Sequence, residues 1–425
     1  MKKKFTKKNK YFKYRFKKRS ILRKVKNRKF YQLLKLPFIL FLFFLSVHLI
    51  KKEYFIKNKY KSTTKIEEMI YLNETMHEAV KRAKDFYYYA NSGILTTNIK
   101  EKVDYPKFSV IIPAYSSEKY IKRAVRSAQN QNFYDIEIIV IDDFSTDNTV
   151  KILEEMEKED PRIKIIKNHK NSGMLYSRSL GALMSKGLYI LPMDSDDIFL
   201  NNDTFSYLNQ EIDKLNVDII KFRAIESLNT NNPLYGYLKI VPDDITENKI
   251  LYQPDLGIFG EKRCVLWEQC INGEFYKKVV NLYGKERINR YVRMLEDCIM
   301  HFILYQNAKS LKLFLKIGLL HIKRSGSDSC STKESVYNKN FIYLNEVYFE
   351  FAKYVSWTKD SLIKNIIDVI SKKSFQETLN DTESKNEIKR IIKKIALNNN
   401  ITLESKEALI NVSLQIKLFE NRDMF

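Results

Sequence analysis

The 425-residue chain has only four cysteines, Cys264, Cys270, Cys298 and Cys330; there is no Cys-x-x-Cys pair, and their spacing from histidines does not argue for zinc. A structural zinc site is therefore not indicated. The four thiols suit one or two disulfides in an oxidising compartment and suit four buried thiols equally well. No GxGxxG and no GxxxxGK(S/T) occurs, so dinucleotide-fingerprint and P-loop readings lose support. Internal repeats are absent too. Acid is missing from residues 1–29, which hold sixteen Lys or Arg and leave only +7 of the formal +23 for everything after. A uniformly basic surface would point to nucleic acid, whereas a basic block beside an apolar run points to a membrane. With no recognisable nucleic-acid module present, no nucleic-acid partner is expected.

The apolar run is Leu36–Ile50, LPFILFLFFLSVHLI, closed by Lys35 on one side and Lys51 and Lys52 on the other. Its fifteen residues make roughly 22 Å of helix against a hydrocarbon core of ~30 Å, and Phe30, Tyr31, Leu33 and Leu34 extend it while Lys35 snorkels. Small residues at a cut site are lacking, which argues against a cleaved signal peptide. The expectation is a basic cytosolic tail over 1–32 and a single-pass signal-anchor helix over 33–50. The remainder would cross the membrane as a type II protein, in the Golgi or ER lumen or, in a prokaryote, at the inner membrane. Asn73, Asn202, Asn380, Asn400 and Asn411 begin Asn-x-Ser/Thr triplets, which an Asn-rich chain also makes by chance. Residues 51–105 read as a helical stem, with helical spacing around Ile66–Tyr88.

From Phe108 the pattern alternates. Apolar runs at Phe108–Tyr115, Asp135–Asp143, Arg162–Asn168, Leu188–Met193 and Val217–Phe222 read as buried strands. Between them Glu118–Asn130, Thr149–Glu157, Met174–Ser185 and Asp203–Leu215 read as helices. This alternation predicts an α/β fold with a doubly wound, mostly parallel sheet and helices on both faces. Ligands in such sheets bind at the carboxyl ends of the strands. There the first strand offers Pro113, Ala114 and Tyr115; the second offers Asp142, Asp143 and Ser145; the fourth, in GLYILPMDSDD, offers Asp194, Ser195, Asp196 and Asp197. Carboxylates crowded at a strand mouth repel unless a cation neutralises them, and hard oxygen ligands suit Mg²⁺ or Mn²⁺. The competing reading has Asp196 or Asp197 capping the next helix. Asp142 or Asp143 is placed to accept from a base or a ribose, and Arg178, past flexible Gly173, to meet phosphate.

IIPAYSSEKYI, VIDDFSTDNT, NSGMLYSRSLG and MDSDD, in this order and spacing, resemble the nucleotide-sugar half of a family-2 glycosyltransferase of the GT-A fold. The likeness runs over Phe108–Asp197 and continues weakly to about Ser331. It implies a UDP- or GDP-sugar donor, a divalent metal and inversion at the anomeric carbon. Matched position by position, the family's base-and-ribose carboxylates fall on Asp142 and Asp143, and its D-x-D on Asp194 and Asp196. Phe144 stands where the family commonly has Gly, and Ser179 where Asn is frequent. WEQCINGEFYKKVV resembles the segment that forms a floor under the donor sugar, which places Trp267 at the acceptor side of the pocket; the alternative is an ordinary core tryptophan. The E-D pair of RMLEDCIMHFIL puts the catalytic base on Asp297, with Glu296 second; helix capping by these acids is the rival account. In HIKRSGS, where the family more often has tyrosine than His321, Lys323 and Arg324 are set to close over the diphosphate and His321 to be a third metal ligand.

Together these readings divide the chain into a donor half (106–225), an acceptor half (226–334) and a helical C-terminal extension (335–425). The implied reaction moves a sugar from a nucleotide-sugar donor to a hydroxyl of a glycan, glycoprotein or lipid. Rival readings are a processive synthase, disfavoured by a single apolar run and no QxxRW, a nucleotidyltransferase, and a non-catalytic membrane-anchored scaffold or binding module of the same fold.

Overall fold

β1 (Phe108–Ala114) is buried along its whole length, as a central strand covered on both faces must be. Val110, Ile112 and Ala114 pack against Ile121, Ala124, Val125 and Ala128 of α1 (Ile121–Gln129), and with Leu153 and Met156 of α2 (Thr149–Glu159). The α1 residues recur at i, i+3, i+4 and i+7, one apolar stripe turned to the sheet. Burying each branched side chain there contributes ~1.5–3 kcal/mol. On the opposite face, Ile111 and Ile141 of β2 (Ile136–Asp142) meet α3 (Met174–Met184) at Gly181. A Cβ on Gly181 would lie 2.5 Å from Ile111 Cγ2, so only glycine lets this helix approach so closely.

This computed structural model describes residues 103–227, 238–241, 249–253, 264–292, 295–323, 334–353, 359–370, 382–397 and 401–420, with scattered positions from 80 to 95. β2 pairs with β1 in parallel from Phe108↔Ile136 to Ala114↔Asp142, and β3 (Ile163–Lys167) pairs in parallel with β2. β4 (Tyr189–Pro192) lies parallel to β1 on its other side. Because β2 and β4 flank β1, the winding reverses at β1 and a crevice opens past the carboxyl ends of the three strands.

Beyond β4 the expectation of a mostly parallel sheet is corrected. Among the described residues the sheet has ten strands and is mixed; eight follow the order β3-β2-β1-β4-β9-β6-β10-β5, with β7 and β8 off that path. After β5 (Ile198–Phe199) and α4 (Thr204–Lys214), β6 (Ile219–Ser227) carries antiparallel β7 (Leu238–Val241), and β8 (Lys249–Tyr252) pairs antiparallel with β10. β9 (Gln269–Asn272) runs antiparallel between β4 and β6, a pairing that needs no crossover helix. α5 (Gly273–Tyr283) starts on an Asn272 cap that accepts from Phe275 N at 3.0 Å. Then follow α6 (Lys285–Ile288), α7 (Glu296–Asn307) and β10 (Ser310–Ile322), which is parallel to β6 and antiparallel to β5.

The C-terminal stretch is helical: α8 (Glu334–Phe351), α9 (Lys359–Ile370), α10 (Thr382–Ala396) and α11 (Leu403–Glu420). Buried Glu346 of α8 binds Arg290, Arg390 and Lys394 at 3.2, 3.1 and 3.2 Å, joining the extension to the segment after α6.

A second buried pair gives an acid-sensitive stability. Asp160, closing α2, is fully buried against Arg162 at 2.9 Å and also accepts from Gln129. Burial alone would raise its pKa, but the hydrogen bonds and charge of Arg162 bring it below the ordinary 3.8. A folded pKa below the unfolded one gives stability that is complete above the unfolded value and lost as pH falls through the folded value. The expected outcome is a urea midpoint that falls beneath about pH 4, and falls less steeply in Asp160→Asn.

The membrane expectation is also corrected. Among the described residues no helix is long and apolar enough to cross a membrane. The proposed tail and anchor at 1–32 and 33–50, and most of the 51–105 stem, lie outside the described residues. A transmembrane segment as part of the fold, a single-pass signal-anchor, a membrane partner and a type II Golgi, ER or inner-membrane placement therefore have no structural support. They are withdrawn.

Candidate active site

Three turns line the crevice, and hydrogen bonds tie them together. Ser116 N donates to Ser145 Oγ at 2.9 Å, Ser117 N to Thr149 Oγ1 at 2.8 Å, and the Ser117 and Ser195 hydroxyls lie 2.8 Å apart. Each turn follows a strand of the parallel half, so the sheet fixes their spacing. Pro113 sits within β1 opposite Ile141, while the Tyr115 ring is half exposed.

Asp142 and Asp143, adjacent in sequence, do different work. Asp143 accepts from Asn168 Nδ2 at 2.8 Å, Ser172 N at 2.8 Å and Gly173 N at 2.7 Å. Both of its oxygens thus hold the loop leading to α3. Asp142 accepts from Ser145 N at 3.2 Å through Oδ2, and its buried Oδ1 has no hydrogen-bond partner. A buried acceptor left unused costs ~1–3 kcal/mol, so Asp142 keeps the capacity to bind a ligand donor.

Phe144, where the resembling family commonly has glycine, takes φ +70°, and Ser116 and Leu295 take +48° and +66°. These are the positive-φ non-glycine residues among the described ones. They lie just past β1, just past β2 and just before α7, all bordering the site, which is where backbone strain collects. The turn has kept a glycine-type conformation while losing the glycine. Phe144→Gly is expected to stabilise the fold by about 1 kcal/mol in chemical denaturation, the left-handed penalty less the entropy of an extra glycine.

Arg178 is the hub of the site. Buried in α3, it binds Asp194 Oδ1 at 2.5 Å through Nη2, while Nη1 binds Asp297 and reaches Glu296 at 3.4 Å. One guanidinium therefore joins the end of β4 to the first turn of α7, where Asp297 lies 119 residues along the chain from Arg178. Burial by itself would lower its pKa; Asp297, Asp194 and Glu296 overcome this and raise it, so the cation persists. Burial pushes Asp297 up to about 8, with Arg178 pulling down and Glu296 pushing further up. Glu296 is raised for the same first reason, burial. A carboxyl poised near neutral pH has the affinity a general base needs.

Asp194, Asp197 and His321 each bring a ligand atom, all within 4.8 Å of one another. Asp197 rather than Asp196 completes the cluster that the sequence assigned to Asp194, Asp196 and His321. Asp196 is nearly buried, and its carbonyl accepts from Arg123 Nη2 at 3.2 Å. Asp197 caps no helix; it accepts from His321 Nδ1 and from Ile322 N, each at 3.0 Å. Burial raises Asp197 to about 7 even though His321 opposes it. Burial would lower His321, but Asp197 lifts it to about 9. Two carboxylates and an imidazole are a fitting donor set for a divalent ion, and loading it requires the imidazole to give up its proton. Trp267, expected at the acceptor side, is core: its ring stacks on His321 at 4.4 Å and 12°. Lys323 pairs with Glu226 at 2.8 Å, and Arg324 lies outside the described residues.

Sequence reading missed two features here. Asp197 was visible as the last acid of MDSDD, but strand alternation is lost in a turn and spacing cannot say which acid points inward. Tyr276 of α5 lies inside WEQCINGEFYKKVV, where only Trp267 was singled out; it is buried, its hydroxyl has no hydrogen-bond partner, and the charges of Arg178 and Asp297 act on it.

The chain is similar to known proteins. Residues 109–260 match the Glycosyl transferase family 2 model. Over 93 residues the chain is 47% identical to an uncharacterized glycosyltransferase of Haemophilus influenzae, covering 22% of this chain and 29% of that protein. Over 128 residues it is 37% identical to a chondroitin synthase of Escherichia coli, covering 30% and 18%. The chain thus spans less than a third of the length of these curated relatives. The crystal structure of Staphylococcus aureus TarS 1–349 in complex with UDP-GlcNAc superposes with a TM-score of 0.50 at 19% identity, over 75% of this chain and 92% of that one. That likeness establishes the fold alone.

Proposed function

We propose that the protein is an inverting, metal-dependent glycosyltransferase. It moves a sugar from a UDP- or GDP-sugar to an acceptor hydroxyl of a glycan, glycoprotein or lipid. The observation that carries this reading is the Arg178 bridge, which brings the D-x-D aspartate Asp194 and the E-D pair into one cluster beside candidate metal ligands. Asp194, Asp197 and His321 would hold Mn²⁺ or Mg²⁺, which supplies charge neutralisation for a departing nucleoside diphosphate. Asp142 accepts a hydrogen bond from the donor's base or ribose. Arg178 turns from its carboxylates to the donor phosphates, and Asp297 so released takes the proton of the acceptor hydroxyl. A single displacement inverts the anomeric carbon and needs no covalent enzyme intermediate; the water-activating carboxylate pair of an inverting hydrolase is a different arrangement. The name of the chondroitin synthase relative puts polysaccharide ends among the acceptors to be tried first.

The test follows nucleoside diphosphate release by the full chain with a panel of UDP- and GDP-sugars, with and without Mn²⁺. The expected result is metal-dependent turnover of one donor, lost in Asp194→Ala. If no donor binds in calorimetry with Mn²⁺ present, the transferase reading fails and a non-catalytic scaffold takes its place.

A further inference from the structure

Cys264 and Cys298 are distant in sequence and adjacent in space. Cys264 stands just upstream of β9, and Cys298 is in the first turn of α7, next in the chain to Asp297. The Cys298 thiol points at the Cys264 carbonyl, 4.0 Å from sulfur to oxygen. Both are half-buried, whereas Cys270 is fully buried in β9. We propose that Cys264 and Cys298 are a redox pair that closes to a disulfide, stapling the first turn of α7 to the segment before β9.

The arrangement also gives the pair an order of attack. The neighbouring Cys298 thiol lowers the Cys264 pKa, and the Tyr348 hydroxyl adds to this, while the Cys264 thiol and burial raise Cys298. Cys264 is therefore the nucleophile. With a small disulfide such as oxidised glutathione as oxidant, the Cys264 thiolate attacks one of its sulfurs and expels one glutathione thiolate. The Cys298 thiolate then attacks the Cys264 sulfur of the mixed disulfide and expels the second. The protein loses two thiol protons and two electrons; the oxidant gains the two electrons and leaves as two reduced glutathiones. Closure removes freedom from the unfolded chain, which stabilises the fold, and it fixes the turn that holds Glu296 and Asp297.

The experiment treats the full chain with oxidised glutathione or with dithiothreitol, alkylates it, and maps peptides by mass spectrometry without reduction. Expected is a cross-linked Cys264–Cys298 peptide as the main oxidised product, with Cys270 alkylated only after unfolding. The oxidised protein should melt several degrees above the reduced one. In Cys264→Ser and in Cys298→Ser both the cross-link and the rise in Tm disappear, whereas Cys270→Ser keeps them. Separate glutathione adducts on Cys264 and Cys298 without a cross-link, or pairing of either with Cys330, would overturn the proposal. The wild-type peptide map decides the matter even if a serine variant fails to fold.

Discussion

Asp297→Asn is expected to lower turnover by about 10²–10⁴-fold while leaving donor affinity within a few-fold, because it removes the proton acceptor and little else. The amide has nearly the shape of the carboxylate and still offers an oxygen to Arg178, so the bridge to Asp194 survives in neutral form. Nucleoside diphosphate release in steady state measures the loss, and calorimetry with the donor measures the binding. Glu296→Gln should cost far less, since Glu296 lies at 3.4 Å from Arg178 and serves mainly to raise its neighbour. If Glu296→Gln proves the more damaging of the two, the proton acceptor is Glu296.

The second large effect is on stability. Arg178→Met should destabilise the fold by ~3–5 kcal/mol, because Asp194, Glu296 and Asp297 would be left crowded, partly buried and without a cation. The loss should depend on pH. Asp297 already sits near 8 in the folded protein, well above an unfolded aspartate near 4, so between those values the folded state binds more protons and stability falls as pH rises. Without the guanidinium this dependence steepens, and Arg178→Met should recover most on going from pH 8 to pH 5. Urea midpoints of both proteins at the two pH values measure it. The same bridge makes the base unavailable until something competes for Arg178. A donor diphosphate is such a competitor, and wasteful activation of water before the donor arrives is thereby suppressed.

Much of this architecture was readable in the residues, for identifiable reasons. Runs such as SVIIP and IIVID are buried on both faces and alternate with helices, and the observed bounds of β1 to β4 and α1 to α3 fall within a few residues of those expected. β9 was expected only as a short strand without bounds inside WEQCINGEFYKKVV, because QCIN is four residues long and holds a buried Gln269, whose side-chain nitrogen bonds Val265 O and faces His301 Nδ1 at 2.9 Å. β10, read only as an apolar strand ahead of His321, was left without bounds for another reason: Lys312 and Lys316 interrupt its apolar pattern, and both reach acidic partners. At the site, motif order located Asp194, Asp297 and His321 one by one. The association of Asp194 with Asp297 depends on Arg178, and no spacing rule reports which partners a long side chain will reach. Trp267 was assigned to the acceptor by likeness to a segment, and its stacking on His321 needed coordinates to be seen.

The placement of β9 has a consequence for how the chain is made. Strands β3, β2, β1 and β4 are contiguous in sequence and join early during synthesis, when the far side of β4 has no neighbour. That edge stays open until Gln269–Asn272 has emerged, and β9 gains its own second neighbour from β6, already waiting. For the time it takes to translate from Pro192 to Asn272, a short apolar edge, YILP, is available to another nascent chain. A ribosome stalled in this interval would release a fragment prone to strand-swapped association, whereas one stalled after residue 322 would release a chain whose sheet can close.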